Sequence, residues 1–374
     1  MPSNLGRFAL GRRSVGVAIF FACVPMGCLP DDRMKIPYND APRAIGDDWK
    51  LSSPGAEGFD VERLQAVYRD FFHENRFPTA ISLLVVRHGA LVAEGYCRDL
   101  DDIRRLNAIQ SATKSLTSLL TGIAIDEGSL EGEGQRVHAV IPDKFDDDPK
   151  KRTMTIENLL TMRTGLDFDN ERFSIELLID GQQDSLAYIL DKPLKAPPGA
   201  DFDYMDASPH LLAGVIQRAV GMSLEDFARS RLFEPLGIER LVWETYADGV
   251  TYGAVGLYLV PRDLAKIGLL ALQQGHWRGQ QLVSRAWMER STRGRVDTPF
   301  SPSIGYRYGY YWWTTSELGG FSADGHGGQF IFVVHDLDLV VVMTAEPHTT
   351  TEVGAINLDD FDGLVRRIIG AVAR

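Results

Sequence analysis

The order in which the hydrophobic period changes along this chain restricts its fold more than any other feature. Apolar residues follow strand-like spacing in residues 80–96, where two strands are joined by a bend at Arg87-His88-Gly89-Ala90. From about residue 115 to 250 the spacing is mostly helical and is broken by Gly and Pro. Strand-like segments then return, namely YGYYWW, GQFIFVVHD and LDLVVVMTA. The sequence therefore predicts an α+β fold, an antiparallel sheet with a largely helical inserted domain.

Helices are expected to flank this sheet at both ends of the chain. Asp60 is typical of a helix cap before an amphipathic segment, and FDGLVRRIIGAVAR closes the chain as a helix. A chain of 374 residues exceeds the usual length of about 150 residues per domain, so we expect two domains. Residues 58–114 and 250–374 are predicted to form the sheet domain and residues 115–249 the helical domain, with a cleft between them.

The first residues have the composition of a secretory signal. Three arginines precede the apolar run SVGVAIFFACV, which has the length of a signal-peptide core and is too short to span a bilayer. A short buried helix is the alternative, but it explains the arginines poorly. We predict that residues 1–28 are a signal peptide and that the protein is exported, to the periplasm or in association with the outer membrane.

Cys28 raises the question of a lipid anchor at the end of this leader. Met26-Gly27-Cys28 is similar to the end of a lipoprotein signal, but Pro25 stands where leucine is usual. Membrane anchoring by a lipid at Cys28 therefore stays open. Residues 29–57 are rich in Pro, Asp and Gly, and this composition predicts a tether or a wrapping arm.

Charge and cysteine content exclude several classes of function. The net charge of −12 argues against a nucleic-acid partner. Cys97 is the one cysteine beyond the predicted leader, so no internal disulfide and no paired-cysteine metal site are expected. The histidines are scattered, and no H-E-x-x-H or phosphate-binding loop is present. We expect neither a metal nor a cofactor.

A lysine near the start of an apolar helix is the first candidate for chemistry. Lys114 begins the segment KSLTSLLTGIAI, and burial of its ammonium needs an ionic partner, loss of a proton, or an escape to solvent. Ser111 lies three residues earlier, on the same helical face. A lysine that loses its proton can act as the base for a serine nucleophile, and the helix start favours an oxyanion. A coincidental spacing is the alternative.

Two further segments carry residues that suit the same chemistry. Tyr204 precedes a helix that is predicted to begin near Ser208-Pro209, and its phenol can relay a proton into a cleft. His326-Gly327-Gly328-Gln329 opens a strand, and its two glycines let a ligand approach the strand backbone. A core or rim tyrosine and a simple hairpin turn are the corresponding alternatives.

Taken in order, these segments resemble the serine β-lactamase and penicillin-binding protein superfamily. That superfamily carries S-x-x-K, Y-x-N and K-T-G or H-x-G, and Ser111-Ala112-Thr113-Lys114, Tyr204-Met205-Asp206 and His326-Gly327-Gly328 fall in those places. The likeness is greatest to the class C β-lactamase branch with its esterases and nylon-oligomer hydrolases, and it covers roughly residues 55 to 374.

The resemblance implies a role for each motif residue. Ser111 would be the acylated nucleophile, Lys114 would help to deprotonate it, and Tyr204 would share the base role and pass the proton to the leaving group. The backbone N–H groups of Ser111 and Gln329 would form the oxyanion hole. His326 would steer a substrate anion or hydrogen-bond Tyr204, and with Gly327 and Gly328 it would line the substrate-binding edge.

Two departures from the family pattern bear on the substrate. Asp206 replaces the asparagine of the second motif, so a substrate-binding carboxylate that only accepts hydrogen bonds stands where an amide could donate one. His326 is neutral at pH 7 unless its environment changes it, which weakens the grip on a β-lactam carboxylate. We therefore expect a serine hydrolase that cleaves a small ester or amide through an acyl-enzyme on Ser111.

Two alternatives remain beside this expectation. One is a β-lactamase or D-alanyl-D-alanine carboxypeptidase, with a lactam or peptide substrate. The other, from a different class, is a protein that binds peptidoglycan-like or acylated ligands without turnover. The presence of Ser111, Lys114, Tyr204 and the H-G-G segment favours an enzyme over the binding protein.

Overall fold

The computed structural model describes residues 40–73, 77–170, 184–299, 305–347, 356 and 358–373. The predicted signal peptide 1–28, the proposed lipid site Cys28 and the first part of the arm lie outside the described residues. Export and lipid anchoring therefore stay predictions. Among the helices that the structure describes, none combines the length and apolar character needed to cross a membrane.

A large antiparallel sheet forms the centre of the described structure. Its eight strands are β1 Ala80–Arg87, β2 Ala90–Tyr96, β8 Val296–Asp297, β9 Arg307–Tyr308, β10 Trp313–Thr315, β11 Gly320–Gly325, β12 Gln329–Val334 and β13 Leu339–Ala345. They lie side by side in the order β2-β1-β13-β12-β11-β10-β9-β8. Within the described residues, five short strands lie outside it, namely β3 Asn107–Ala108, β4 Val242–Trp243, β5 Leu257–Leu259, β6 His276–Trp277 and β7 Gln280–Gln281.

Helices cover this sheet and fill the middle of the chain. They are α1 Val61–His73, α2 Thr113–Asp126, α3 Val137–Val140, α4 Ile156–Leu160, α5 Ser185–Leu190, α6 Ala207–Val220, α7 Leu224–Ala228, α8 Pro261–Leu272, α9 Arg285–Ser291 and α10 Leu358–Gly370. The cap predicted for the first helix is present, since the Asp60 carboxylate accepts the backbone N–H of Arg63.

The first hairpin shows why the predicted bend forms. His88 and Gly89 both have positive φ, 49° and 71°, which is the geometry of a two-residue turn that matches the twist of paired strands. Strand β1 pairs antiparallel with β2 on one side and with β13 on the other. Because β13 lies near the end of the chain, the sheet is built from both ends, as predicted.

The two faces of the sheet bury different sets of helices. On β1, Leu83 and Val85 belong to the core that packs α1 and α10 against the sheet. Leu84 and Val86 point the other way, into the larger core that contains α2, α6 and α8. This alternation explains why the central strands are apolar along their whole length, since both faces are covered. The predicted fold class is confirmed, whereas the division into two domains stays a prediction.

One predicted strand has a different form. The segment YGYYWW was expected to be a single strand, but β9 ends at Tyr308 and β10 begins at Trp313. The four residues between them form a turn in which the backbone N–H of Gly309 bonds the carbonyl of Trp312 at 2.8 Å. Strand propensity of the aromatic residues could not reveal this turn, because Tyr311 adopts a positive φ of 60° that a bulky residue rarely takes.

The described part of the arm runs along the outer edge of β2. The backbone N–H of Glu94 bonds the carbonyl of Asp40, and that of Leu91 bonds the carbonyl of Lys50. Behind this segment the buried guanidinium of Arg262 contacts Glu94 at 2.6 Å and Asp47 at 2.6 Å. The arm thus covers an edge whose backbone groups would otherwise be unpaired.

Candidate active site

Ser111 lies in a short 3₁₀ turn, Gln110–Ala112, directly before α2. Gln110 has a positive φ of 51°, a conformation that is uncommon for a residue other than glycine and is often found at functional sites. The Ser111 side chain is partly exposed. The chain thus presents the predicted nucleophile at the start of a helix, two residues earlier than the first helical residue.

Lys114 occupies the first turn of α2 and is only 1% exposed. Its Nζ donates to Ser111 Oγ at 2.7 Å and to the carbonyl oxygen of Ala254 at 3.2 Å. A third contact joins Nζ to Asp206 Oδ1 at 2.7 Å. An ammonium has three donors, and these contacts provide an acceptor for each of them. This set of partners explains how a lysine is tolerated inside the apolar helix region.

The charge of Lys114 is decided by competition between burial and its partners. Burial is the largest single influence, and it lowers the pKa of Lys114. The charge and hydrogen bond of Asp206, together with Tyr204, raise this pKa by more than burial lowers it. The resulting pKa lies above the usual value for lysine. Lys114 therefore rests as an ammonium, whereas the sequence argument had allowed a lysine that loses its proton to act as the base.

Tyr204 lies in the loop before α6, and aromatic residues hold its ring. The ring stacks on Trp313 with centroids 5.7 Å apart, and it meets Tyr308 edge-on at 6.1 Å. The Nζ of Lys114 lies over the same ring, 5.0 Å from its centroid. The YGYYWW segment thus packs against the predicted catalytic tyrosine. The sequence had left two interpretations of this segment, sheet core or the lining of an acyl pocket.

Tyr311 links the helices that carry these residues, and sequence reasoning missed it. Its carbonyl accepts the hydroxyl of Ser115 on α2 at 2.6 Å, and its phenol lies 3.4 Å from Ser208 on α6. Its own N–H bonds the carbonyl of Leu160 at the end of α4. A buried aromatic residue with a positive φ is strained, and these contacts from three helices hold it. No sequence pattern marks such a residue.

The third motif lies at the turn between β11 and β12. His326 is exposed there, Gly327 and Gly328 have positive φ of 83° and 115°, and Gln329 begins β12. A Cβ on Gly325, just before this turn, would lie 2.3 Å from the carbonyl oxygen of Ile109. Such close approach is open to glycine alone, and it places the turn beside the chain that carries Ser111.

The structure therefore brings the three predicted motifs to one place. Ser111, Lys114 and Asp206 are in direct contact and Tyr204 lies against the lysine. The side chain of Gln329 is occupied elsewhere, because its amide donates to the carbonyl of Ala345 at 2.7 Å, so only its backbone is left for the predicted oxyanion hole. The roles assigned to the site residues all stay predictions, namely those of Ser111, Lys114, Tyr204, Asp206, His326, Gly327, Gly328 and Gln329.

A serine bonded to a buried lysine, with a tyrosine against that lysine, defines the site of a serine hydrolase. The family described as Beta-lactamase matches residues 64–359. The chain belongs to this family, and the resemblance inferred from the three motifs is confirmed.

Individual relatives share the same overall architecture. Over 286 residues the chain is 25% identical to the 6-aminohexanoate-dimer hydrolase of Paenarthrobacter ureafaciens. This match covers 70% of this chain and 71% of that protein. A family VIII carboxylesterase structure has a TM-score of 0.68 at 16% identity, covering 83% of this chain and 97% of the other. For EstCE1, a hydrolase with promiscuous acyltransferase activity, the TM-score is 0.64 at 18% identity, with 81% and 98% covered. The chain also matches several further relatives, but in each case it spans only about half of the relative's own length.

Proposed function

We propose that this protein hydrolyses a small ester or amide through an acyl-enzyme on Ser111. The observation that carries the proposal is the 2.7 Å contact between Ser111 Oγ and the buried Nζ of Lys114. A nucleophile and its proton-handling partner must lie within hydrogen-bond reach, and this pair does so at the start of a helix.

In the proposed reaction Ser111 Oγ attacks the carbonyl carbon of the substrate while its proton passes to the pair formed by Lys114 and Tyr204. The backbone N–H groups of Ser111 and Gln329 would stabilise the negative oxygen of the tetrahedral intermediate. Tyr204 would pass a proton to the leaving group, since the stacked ring of Trp313 fixes the phenol beside Lys114. Water would then release the acyl group from Ser111.

Three observations favour a small ester or amide over an anionic lactam. One relative is a hydrolase named for the 6-aminohexanoate dimer, and a family VIII carboxylesterase has a similar fold. Asp206, in the place of an asparagine, lacks the amide donor that would bind the amide oxygen of a β-lactam. His326, in the place of a lysine, is a weak partner for the lactam carboxylate. Unpaired polar groups of this kind each lower affinity by about 1–3 kcal/mol.

The substrate class can be tested with a panel of chromogenic substrates. We expect measurable hydrolysis of p-nitrophenyl acetate, of p-nitrophenyl butyrate or of the 4-nitroanilide of 6-aminohexanoate. The kcat/KM for nitrocefin should be lower than that of the best of these by about tenfold or more. The Ser111→Ala variant serves as the control for background hydrolysis. A wild type that prefers nitrocefin would show that the protein is a β-lactamase, contrary to the proposal.

A further inference from the structure

The carboxylate of Asp206 occupies a position where the family pattern has a neutral amide. Asp206 lies immediately before α6, its backbone N–H bonds Asn170 Oδ1 at 2.7 Å, and its side chain is 16% exposed. Its Oδ1 lies 2.7 Å from Lys114 Nζ, the same distance that separates Nζ from Ser111 Oγ. Ser111, Lys114 and Asp206 therefore form an unbroken chain of hydrogen-bond distances.

Several titratable groups near this chain are uncharged near neutral pH because they are buried. Burial lowers the pKa of His210, one helical turn beyond Asp206, to about 4. Burial also raises the pKa of Tyr246, with Tyr252 and Asp206 adding to the shift, and it raises that of Tyr308 well above its usual value. Two other carboxylates lie in this region, since Asp248 acts on His210 and Asp324 acts on Tyr308. Asp206 is the carboxylate that lies 2.7 Å from Nζ and raises the pKa of Lys114, so it is the counter-charge of the ammonium.

We propose that Asp206 is a positioning residue that acts on Ser111 through Lys114, by holding the lysine against Oγ and by accepting a proton from it during acylation. The inference rests on the proposed function of the site. It differs from the role that the family pattern suggests for this position, where a neutral side chain meets the substrate.

The proposed step conserves atoms and charge. One proton moves from Lys114 Nζ to Asp206 Oδ1, and the neutral amine rotates to accept the proton of Ser111 Oγ as the bond from Oγ to the substrate carbonyl carbon forms. Lys114 is again an ammonium, Asp206 is a carboxylic acid, and the negative charge lies on the former carbonyl oxygen. When the bond to the leaving group breaks, that group takes a proton from Tyr204. Lys114 reprotonates Tyr204, and Asp206 returns its proton to Lys114.

Asp206→Asn tests this role through the pH dependence of kcat/KM. In the wild type the Asp206 carboxylate is the proposed proton acceptor, so kcat/KM should fall on the acid side alone. In the variant, burial of Lys114 is no longer opposed by a negative charge, so the lysine pKa falls and the neutral amine becomes the base. Activity should then rise as pH rises through that lysine pKa. The acid limb of the pH profile, where kcat/KM falls with decreasing pH, should shift to higher pH by about one pH unit or more. At neutral pH the kcat/KM of the variant should be about tenfold or more below that of the wild type, and alkaline pH should restore part of it.

Two further variants make the result specific. Asp206→Glu restores the carboxylate, so its acid limb should return to that of the wild type even if kcat stays lower. Asp203→Asn removes a nearby carboxylate that pairs with Lys195 at 2.7 Å, and it should leave the profile unchanged. An acid limb of Asp206→Asn that coincides with the wild-type limb would overturn the proposal, however much kcat falls, because a merely structural role lowers the rate without moving the profile.

A second measurement covers the case in which Asp206→Asn does not fold. In the wild type labelled with ¹⁵N-lysine, the Nζ resonance of Lys114 should show an ammonium throughout the neutral pH range, and a neutral amine would overturn the proposal. Failure of the proposed function is distinguishable from both outcomes, since the wild type would then hydrolyse no substrate of the panel.

Discussion

Replacing Lys114 by alanine should lower kcat by about 10²-fold or more, the usual size of the loss of an acid–base group. The variant removes the Nζ that contacts both Ser111 Oγ and Asp206 Oδ1. Tyr204→Phe should have an effect of similar size, although its ring can still stack on Trp313 and only the hydroxyl is lost. Because the two residues act on the same proton, the double variant should cost much less than the sum of the two free-energy losses.

The measurement is kcat and KM of each variant with a p-nitrophenyl ester, with circular dichroism to verify the fold. Lys192→Ala is a matched control, because Lys192 also lies over a tyrosine ring, that of Tyr188 at 3.8 Å, but outside the site. It should keep wild-type turnover. Turnover close to wild type in Tyr204→Phe would remove the tyrosine from the mechanism, and fully additive losses would show that the two residues act independently.

Replacing Arg262 by alanine should lower the free energy of unfolding by about 3–5 kcal/mol, because the change leaves a buried carboxylate without its cation. Glu94 is 1% exposed and Arg262 is 2% exposed. The guanidinium also donates to the carbonyl of Arg43 at 2.7 Å and contacts Asp47. Its loss would therefore loosen the arm along β2 as well as isolate Glu94.

Denaturant unfolding of wild type and variant under identical conditions measures this effect. Arg285→Ala provides the control, since the pair of Arg285 with Glu289 is largely exposed and such pairs contribute about 0–1 kcal/mol. Adding Glu94→Gln to Arg262→Ala should recover part of the loss, because the isolated charge disappears. A loss in Arg262→Ala no larger than in Arg285→Ala would show that water or the arm compensates the charge of Glu94.

Local patterns were enough to predict much of the fold. The His88-Gly89 turn, the cap at Asp60 and the change of hydrophobic period each depend on residues close in sequence. The sheet built from both ends of the chain followed from the order of these segments. The resemblance then added which serine, lysine and tyrosine belong together, and the structure places Ser111, Lys114 and Tyr204 at one site.

Contacts between distant residues account for what sequence reasoning missed. The contact of the Asp206 carboxylate with Lys114 was not predicted, and it depends on how α6 packs against α2. The turn at Tyr311 depends on acceptors and donors from three helices. Likewise Arg262 meets Glu94 across 168 residues of chain. No pattern in one segment can reveal such partners.

The most direct test of the central claim is the site of covalent labelling by a fluorophosphonate probe, located by mass spectrometry of the digested protein. We predict a single adduct on Ser111 in the wild type and complete loss of labelling in Ser111→Ala. Ser118→Ala, which alters another serine of the same helix region, should still be labelled at Ser111. An adduct on any other serine in the wild type, or labelling that persists in Ser111→Ala, would contradict the assignment of Ser111 as the nucleophile.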